Sequence, residues 1–334
     1  MNLNVLNKAI GGGKIDEVDI LKGIGICLVL VAHSAGGFVH TFAYSFHMPL
    51  FIFVSGWLFY YTRLSDAASA KWPYKAMLKE KIIRFGIPFI VFTLFGIILK
   101  SVFSTYMDRP TEISFHELAN AFIYPYNGPL RELWFIATIM WMFALAPVWR
   151  LFLDNKWLNS LCLILLSVLY FFPLKTEFLA LDHVTHLAVF FYGGLLVSKY
   201  ELVSKTIAKI SNLKGICLIL LFFILYLCAM LFELHFCATW MAIILSIFLS
   251  VLLERFAPES FSSFRNYTFQ IYLIGIWVQV AVRILVIKYE MPWLIGYLIS
   301  ICSGIYIPVL ISKLFEKIDY KPLLLFVGLR PARK

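Results

Sequence analysis

The chain has 334 residues, 61% of them hydrophobic and 14% charged, with a mean hydropathy of +0.85. Soluble domains are about half apolar and about a quarter charged, so this composition excludes that class and points to lipid as the outer solvent. The formal charge of +10 does not indicate nucleic acid, because the basic residues are dispersed at the ends of apolar runs rather than gathered on one face.

A helix needs about 20 apolar residues to cross a hydrocarbon core of about 30 Å. Ten runs approach that length: 20–38, 42–61, 85–107, 133–149, 157–174, 184–198, 213–232, 234–253, 267–287 and 291–315. The sixth is short and is expected to begin inside the preceding loop. The runs are continuously apolar and lack the alternation of barrel strands, so the expected fold is an all-α integral membrane protein of about ten transmembrane helices.

Lys and Arg orient those helices. Three lie from the N-terminus through Lys22, six from Arg63 to Arg84, two at Arg150 and Lys156, four from Lys199 to Lys214, two at Arg255 and Arg265, and six from Lys313 to Lys334. The opposite faces hold only Lys100, Arg109, Arg131, Lys175, Arg283 and Lys288. This bias of 23 to 6 puts both termini in the cytoplasm. The expected division is a cytoplasmic arm over 1–17, a ten-helix membrane domain over 18–316 and a basic tail over 317–334. The arm is polar and no small-residue cleavage site follows the first run, so that run is expected to stay as a span. No internal repeat is visible. The longest polar connections are 62–84, basic and cytoplasmic, and 108–132, outside. Six cysteines lie in or beside apolar runs with no CxxC pair, and read as small apolar residues rather than disulfide or metal partners.

Titratable groups within spans are expensive and mark candidate sites. The first span carries Lys22 and, eleven residues on, His33. Eleven residues are three turns plus about 20°, which puts both on one helix face about 16.5 Å apart. Asp19 shares that side. A snorkelling lysine and a packed histidine is the competing structural reading. His40 falls in the short outer connection and is expected to tolerate alanine. The second span opens on His47-Met48-Pro49 and places His47 at about the depth of His33. The two are a candidate proton-handling pair, against a helix-start histidine facing water. Lys81 and Arg84 then stand one turn apart at the membrane boundary, with Lys75 and Lys79 behind them. They serve either the orientation rule or an anionic cytosolic ligand. On the outer side come Arg131-Glu132, then Asp182, His183 and His186, then Glu233 and His235, and Arg283 within the ninth span. Singly these are ordinary interfacial residues; together they are the excess an acceptor site requires. Trp and Tyr near span ends read as interfacial belts.

Read in order, these segments resemble acyltransferase family 3 of bacterial membrane proteins, which acylate surface glycans. The resemblance rests on Lys22 and His33 in DILKGIGICLVLVAH, HMPLFIFVSG at 47–56, the paired basic residues Lys81 and Arg84, LWFI at 133–136 after Glu132, and the late FRNYTFQIYLIG segment, and it runs over essentially the whole chain. Three positions depart from the family pattern. Lys81 stands where arginine is usual, Thr268 where serine is common, and Gly275 where many relatives have histidine. The chain ends without an appended esterase-like domain, which favours the stand-alone type similar to fucose or glycan O-acetylases.

The resemblance implies transfer of an acyl group, acetyl first among candidates, from cytosolic acyl-CoA to a glycan hydroxyl or lipid-linked saccharide across the bacterial inner membrane. No metal or nucleic acid takes part, and membrane lipids surround the chain. Lys22, Lys81 and Arg84 are the expected CoA-phosphate ligands, with the pantetheine arm along the face that leads to His33. His33 is the expected general base, with transient acyl-histidine formation as the alternative. Glu132 is expected to orient a histidine, His47 to position the acceptor or polarise the thioester, and Arg131, Asp182, His186 and Arg283 to contact the acceptor. A transporter or flippase using His33, His47 and Glu132 as a proton relay is the rival class. A sensing or structural subunit is the third.

Overall fold

The computed structural model describes residues 16–34, 36–65, 72–102 and 114–330. Every regular element among them is helical. They are α1 (Asp16–Ser34), α2 (Gly37–Phe59), α3 (Tyr74–Lys81), α4 (Ile87–Val102), α5 (Phe115–Ile123), α6 (Trp134–Ala144), α7 (Ala146–Leu153), α8 (Lys156–Phe171), α9 (Leu181–Lys199), α10 (Leu202–Lys205), α11 (Asn212–Leu231), α12 (His235–Phe256), α13 (Thr268–Lys288), α14 (Trp293–Ile318) and α15 (Lys321–Phe326). Each of the ten apolar runs is helical over most of its described residues.

Among the described residues seven helices, counted with their π or 3-10 extensions, are long and apolar enough to cross a membrane, and the pair α6–α7, bent by 52°, makes an eighth if it is one crossing. That leaves two of the ten runs. α8 has 16 residues. α1 has 19 residues but bears Asp16, Glu17, Asp19 and Lys22 in its first two turns.

Two expected loops are helix instead. The connection over 62–84 gives way at Tyr74 to a helix that runs through a π turn (Ile82–Gly86) into α4, so Lys75, Lys79, Lys81 and Arg84 stand on helix. The polarity of Tyr74–Lys81 ends an apolar run without ending a helix. Residue 40 is likewise helical, because α2 starts at Gly37, whose φ of +60° suits glycine alone at low cost.

Prolines account for several of the irregularities. Pro49 within α2 offers no N–H to the carbonyl of Ser45, and that oxygen accepts instead from the Thr239 hydroxyl of α12 at 3.4 Å. Pro88 denies an N–H to the Arg84 carbonyl, and the helix widens into the π turn just before it. Pro147 breaks the α6–α7 rod at Leu145. The carbonyls near that break are taken by side chains: Met142 O by the Trp149 indole at 2.7 Å and Ala144 O by the Tyr74 hydroxyl at 2.7 Å.

The chain forms two compact units, one of Met1–Ser65 with Gly193–Ile311, the other of Asp66–Tyr192 with Ser312–Lys334. In the first, α1 packs on α2, α12 and α13 and buries Ile20, Leu21, Ile26 and Leu30. α12 is central, with 61% of its apolar window buried, whereas α11 outside it has 17% buried and turns the rest of its apolar surface outward, as a lipid-facing helix does. In the second unit α6 packs against the π turn and against residues 178–180, and α15 against α4. Phe135, Ile136, Met142, Phe143, Phe190 and Phe191 form its core.

Candidate active site

In the first unit the C-terminal end of α1 is held by side chains. The last four carbonyls of a helix lack intrahelical donors, and here those of Ala32 and His33 take donors from elsewhere, while Leu30 O just before them takes a side-chain donor as well. Gln279 Nε2 donates to Leu30 O at 3.0 Å, His40 Nδ1 to Ala32 O at 2.7 Å, and Arg283 Nη2 to His33 O at 2.7 Å. Gln279 also donates to Ser34 Oγ at 2.7 Å, which pairs with Ser300 Oγ at 3.0 Å. The backbone that carries His33 is therefore fixed from α2, α13 and α14.

Around it three histidines share one aromatic ring. Tyr44 lies 5.9 Å from the His33 ring, 4.9 Å from His40 and 5.0 Å from His47, centroid to centroid. The structure thus joins His33 and His47 through Tyr44. It adds His40, which the sequence reading placed in a loop. His47 is buried, and its Nδ1 lies 2.9 Å from Ala43 O. A carbonyl only accepts, so Nδ1 carries a proton, and in the neutral form of the ring Nε2 is an acceptor. Among the described residues no group of His, Cys, Asp or Glu is arranged to hold a metal ion.

Lys22, three turns down α1, pairs with Asp19 at 2.7 Å. Arg283 enters as a cap on the His33 backbone, a role the sequence did not suggest.

The second unit holds the remaining candidates. Lys81 Nζ sits 4.3 Å over the Phe143 ring and lines an apolar pocket of about 290 Å³ with Leu78, Met140 and Trp141. Arg84 lies against Phe85, and its Nε is buried with no hydrogen-bond partner. Glu132 is half-buried in the 3-10 turn that opens α6, and Arg131 covers the Tyr126 ring at 5.3 Å. Asp182 Oδ1 lies 2.9 Å from His183 Nδ1, and the His183 imidazole packs between Trp134 at 4.1 Å and Tyr126 at 5.5 Å. His186 stacks on Tyr170 at 4.2 Å and donates from Nδ1 to Tyr170 O at 2.9 Å. Sequence reading had noted His183 without giving it these neighbours.

A family model described as an acyltransferase domain matches residues 15–313, a span that takes in both units' candidate residues. The chain belongs to acyltransferase family 3. It is a multi-pass membrane acyltransferase. No curated protein and no solved structure matches it. Within this family 3 chain Gly275 is a filled position. A Cβ there would lie 2.8 Å from Gly304 O and 3.3 Å from Leu30, so α14 and α1 occupy the space a histidine side chain needs.

Proposed function

We propose that this family 3 acyltransferase moves an acyl group, acetyl first, from cytosolic acyl-CoA to a hydroxyl of a cell-surface or lipid-linked glycan, with His33 as general base. The observation that carries this reading is the fixed end of α1. His33 is anchored through its backbone by Arg283, and its imidazole packs against the Tyr44 ring that also meets His47. His33 takes the proton of the acceptor hydroxyl as its oxygen attacks the thioester carbonyl. Collapse of the tetrahedral adduct expels the CoA thiolate, which takes up a proton, leaving ester and free thiol. With Nδ1 donating to Ala43 O, the neutral form of His47 has an acceptor at Nε2, which suits the positioning of a hydroxyl donor better than the polarisation of a carbonyl. Lys22 in the first unit and, separately, Lys81 and Arg84 in the second are the candidates for the CoA phosphates; Glu132 is the candidate to orient a histidine, and Arg131, Asp182 and His186 those for the acceptor.

Inverted membrane vesicles given labelled acetyl-CoA are expected to accumulate label in lipid-linked glycan only when the chain is present. Unchanged acetyl-CoA with glycan export that depends on the chain would replace this reading with a transporter.

Topology has a parity argument of its own. Arg330 bonds Glu80 at 2.7 Å, so the tail and the start of the third expected span lie on one side of the membrane. An even number of crossings therefore separates them. Six of the long apolar helices lie between these points, so α6–α7 and α8 either both cross or both fail to cross. Arg150 and Lys156 favour two crossings, with the turn between them cytoplasmic. A periplasm-active reporter is expected to be silent when fused after Asp154 or Arg330 and active after Lys175. Activity after Asp154 as well as after Lys175 would make the two helices a re-entrant pair and reduce the count from ten to eight.

A further inference from the structure

The second unit closes on a segment beyond the range of the family match. α15 packs on α4 and buries Leu324 and Val327. The helix then stops in a Schellman motif. Leu329 N donates to Leu324 O at 2.8 Å and Gly328 N to Leu325 O at 3.1 Å, with Gly328 at a φ of 70°. This motif turns the chain so that Arg330 Nη2 meets Glu80 Oε1 at 2.7 Å. Glu80 stands one helical turn before Arg84, and both Glu80 and Arg330 act electrostatically on the Arg84 guanidinium.

Arg330 is thus paired with Glu80, while Arg84, one turn further along the same helix, lies within electrostatic reach of both. The cluster carries excess positive charge, Arg84 keeps a buried Nε with no hydrogen-bond partner, and the Arg330 side chain remains 62% exposed. Like charges gathered by a built turn, with donors left over, form an anion site. Guanidinium forks match the oxygens of a phosphoryl group in particular.

We propose that Arg330 of the tail completes, with Arg84, a phosphoryl-binding site beside Glu80, whose carboxylate holds Arg330 until a phosphoryl group competes for it. Which phosphoryl group arrives rests on the acyl-CoA reading above: the donor carries several, and a phospholipid headgroup offers the same chemistry.

Full-length protein in phosphatidylcholine nanodiscs separates these sources. Coenzyme A is titrated calorimetrically into wild type, Arg330→Gln, Arg330→Lys and Glu80→Gln, and native mass spectrometry counts phosphatidylglycerol carried through purification. Loss of one charge-assisted contact is expected to weaken CoA by about tenfold in Arg330→Gln, with partial recovery in Arg330→Lys. Glu80→Gln, which keeps both cations, is expected to bind at least as tightly as wild type. If the tail is only a mechanical clamp, Glu80→Gln and Arg330→Gln will be equally harmful, and the proposal fails. Unchanged CoA affinity with phosphatidylglycerol lost from Arg330→Gln keeps the site and assigns it to lipid. If neither ligand responds to Arg330→Gln, there is no such site. A wild type that does not bind CoA overturns the donor reading alone, and the lipid count then decides the site.

Discussion

His33→Ala is expected to abolish acyl transfer, by 10²–10⁴-fold, in protein that still inserts and still binds acyl-CoA. That is the typical loss for a general base, about 3–5 kcal/mol at the barrier. The structure says why the fold should survive. Arg283 holds the His33 carbonyl and Gln279 holds Leu30 O, and both ties to the end of α1 are to backbone atoms that alanine keeps. His33→Gln keeps bulk and a hydrogen-bonding group but offers no base, and should be equally inactive. His40 can no longer serve as the neutral comparison, because its Nδ1 holds Ala32 O and its ring packs on Tyr44. His40→Ala is expected to lower activity in part, through the position of α1. Exposed His235 at the start of α12 takes over as the control. Wild-type rates for His33→Gln in the labelled-glycan assay would sink the assignment and make His47 the next candidate.

Much of this site was legible in the sequence because it follows helical spacing. The Lys22–His33 stripe and the shared depth of His33 and His47 follow from rise and rotation alone. So, in principle, did the face formed by residues 40, 44 and 47, which starting the second span at 42 concealed. The start of α3 was missed for a related reason: hydropathy registers where lipid ends, and a helix continues past that point. Arg283 and Gln279 each donate to a backbone carbonyl, which every residue owns, so no side-chain pattern reveals those two contacts. Gly275 read as a missing histidine because sequence shows what is absent at a position and not what fills its space. Two of the three boundaries between the units pass through the middle of α9 and near the end of α14, where there is no linker to find.

Gly194→Ala is expected to be the most damaging of the conservative substitutions in the first unit. α9 meets α2 backbone to backbone at this position. A Cβ on Gly194 would lie 2.0 Å from Phe53 O and 2.8 Å from Trp57 N, and neither is the tip of a side chain that can swing aside. The two helices would have to separate. Between membrane helices close backbone approach is itself a main source of attraction, since lipid gives no hydrophobic drive to bring them together. Overpacking costs about 1–3 kcal/mol where side chains can adjust, and occasionally more, and a backbone contact belongs at the upper end. Activity should fall with stability, because Phe53 lies six residues beyond His47 on α2 and any shift of that helix moves the His47 ring relative to Tyr44. Gly193→Ala meets the end of the Trp240 ring at 2.4 Å and is expected to be milder, since the indole can turn. Gly36→Ala meets nothing within 4 Å at a φ of −119° and should be neutral. Thermal unfolding of the three variants in detergent checks the order: Gly194→Ala melting together with Gly36→Ala would mean that the backbones of α2 and α9 are not in contact.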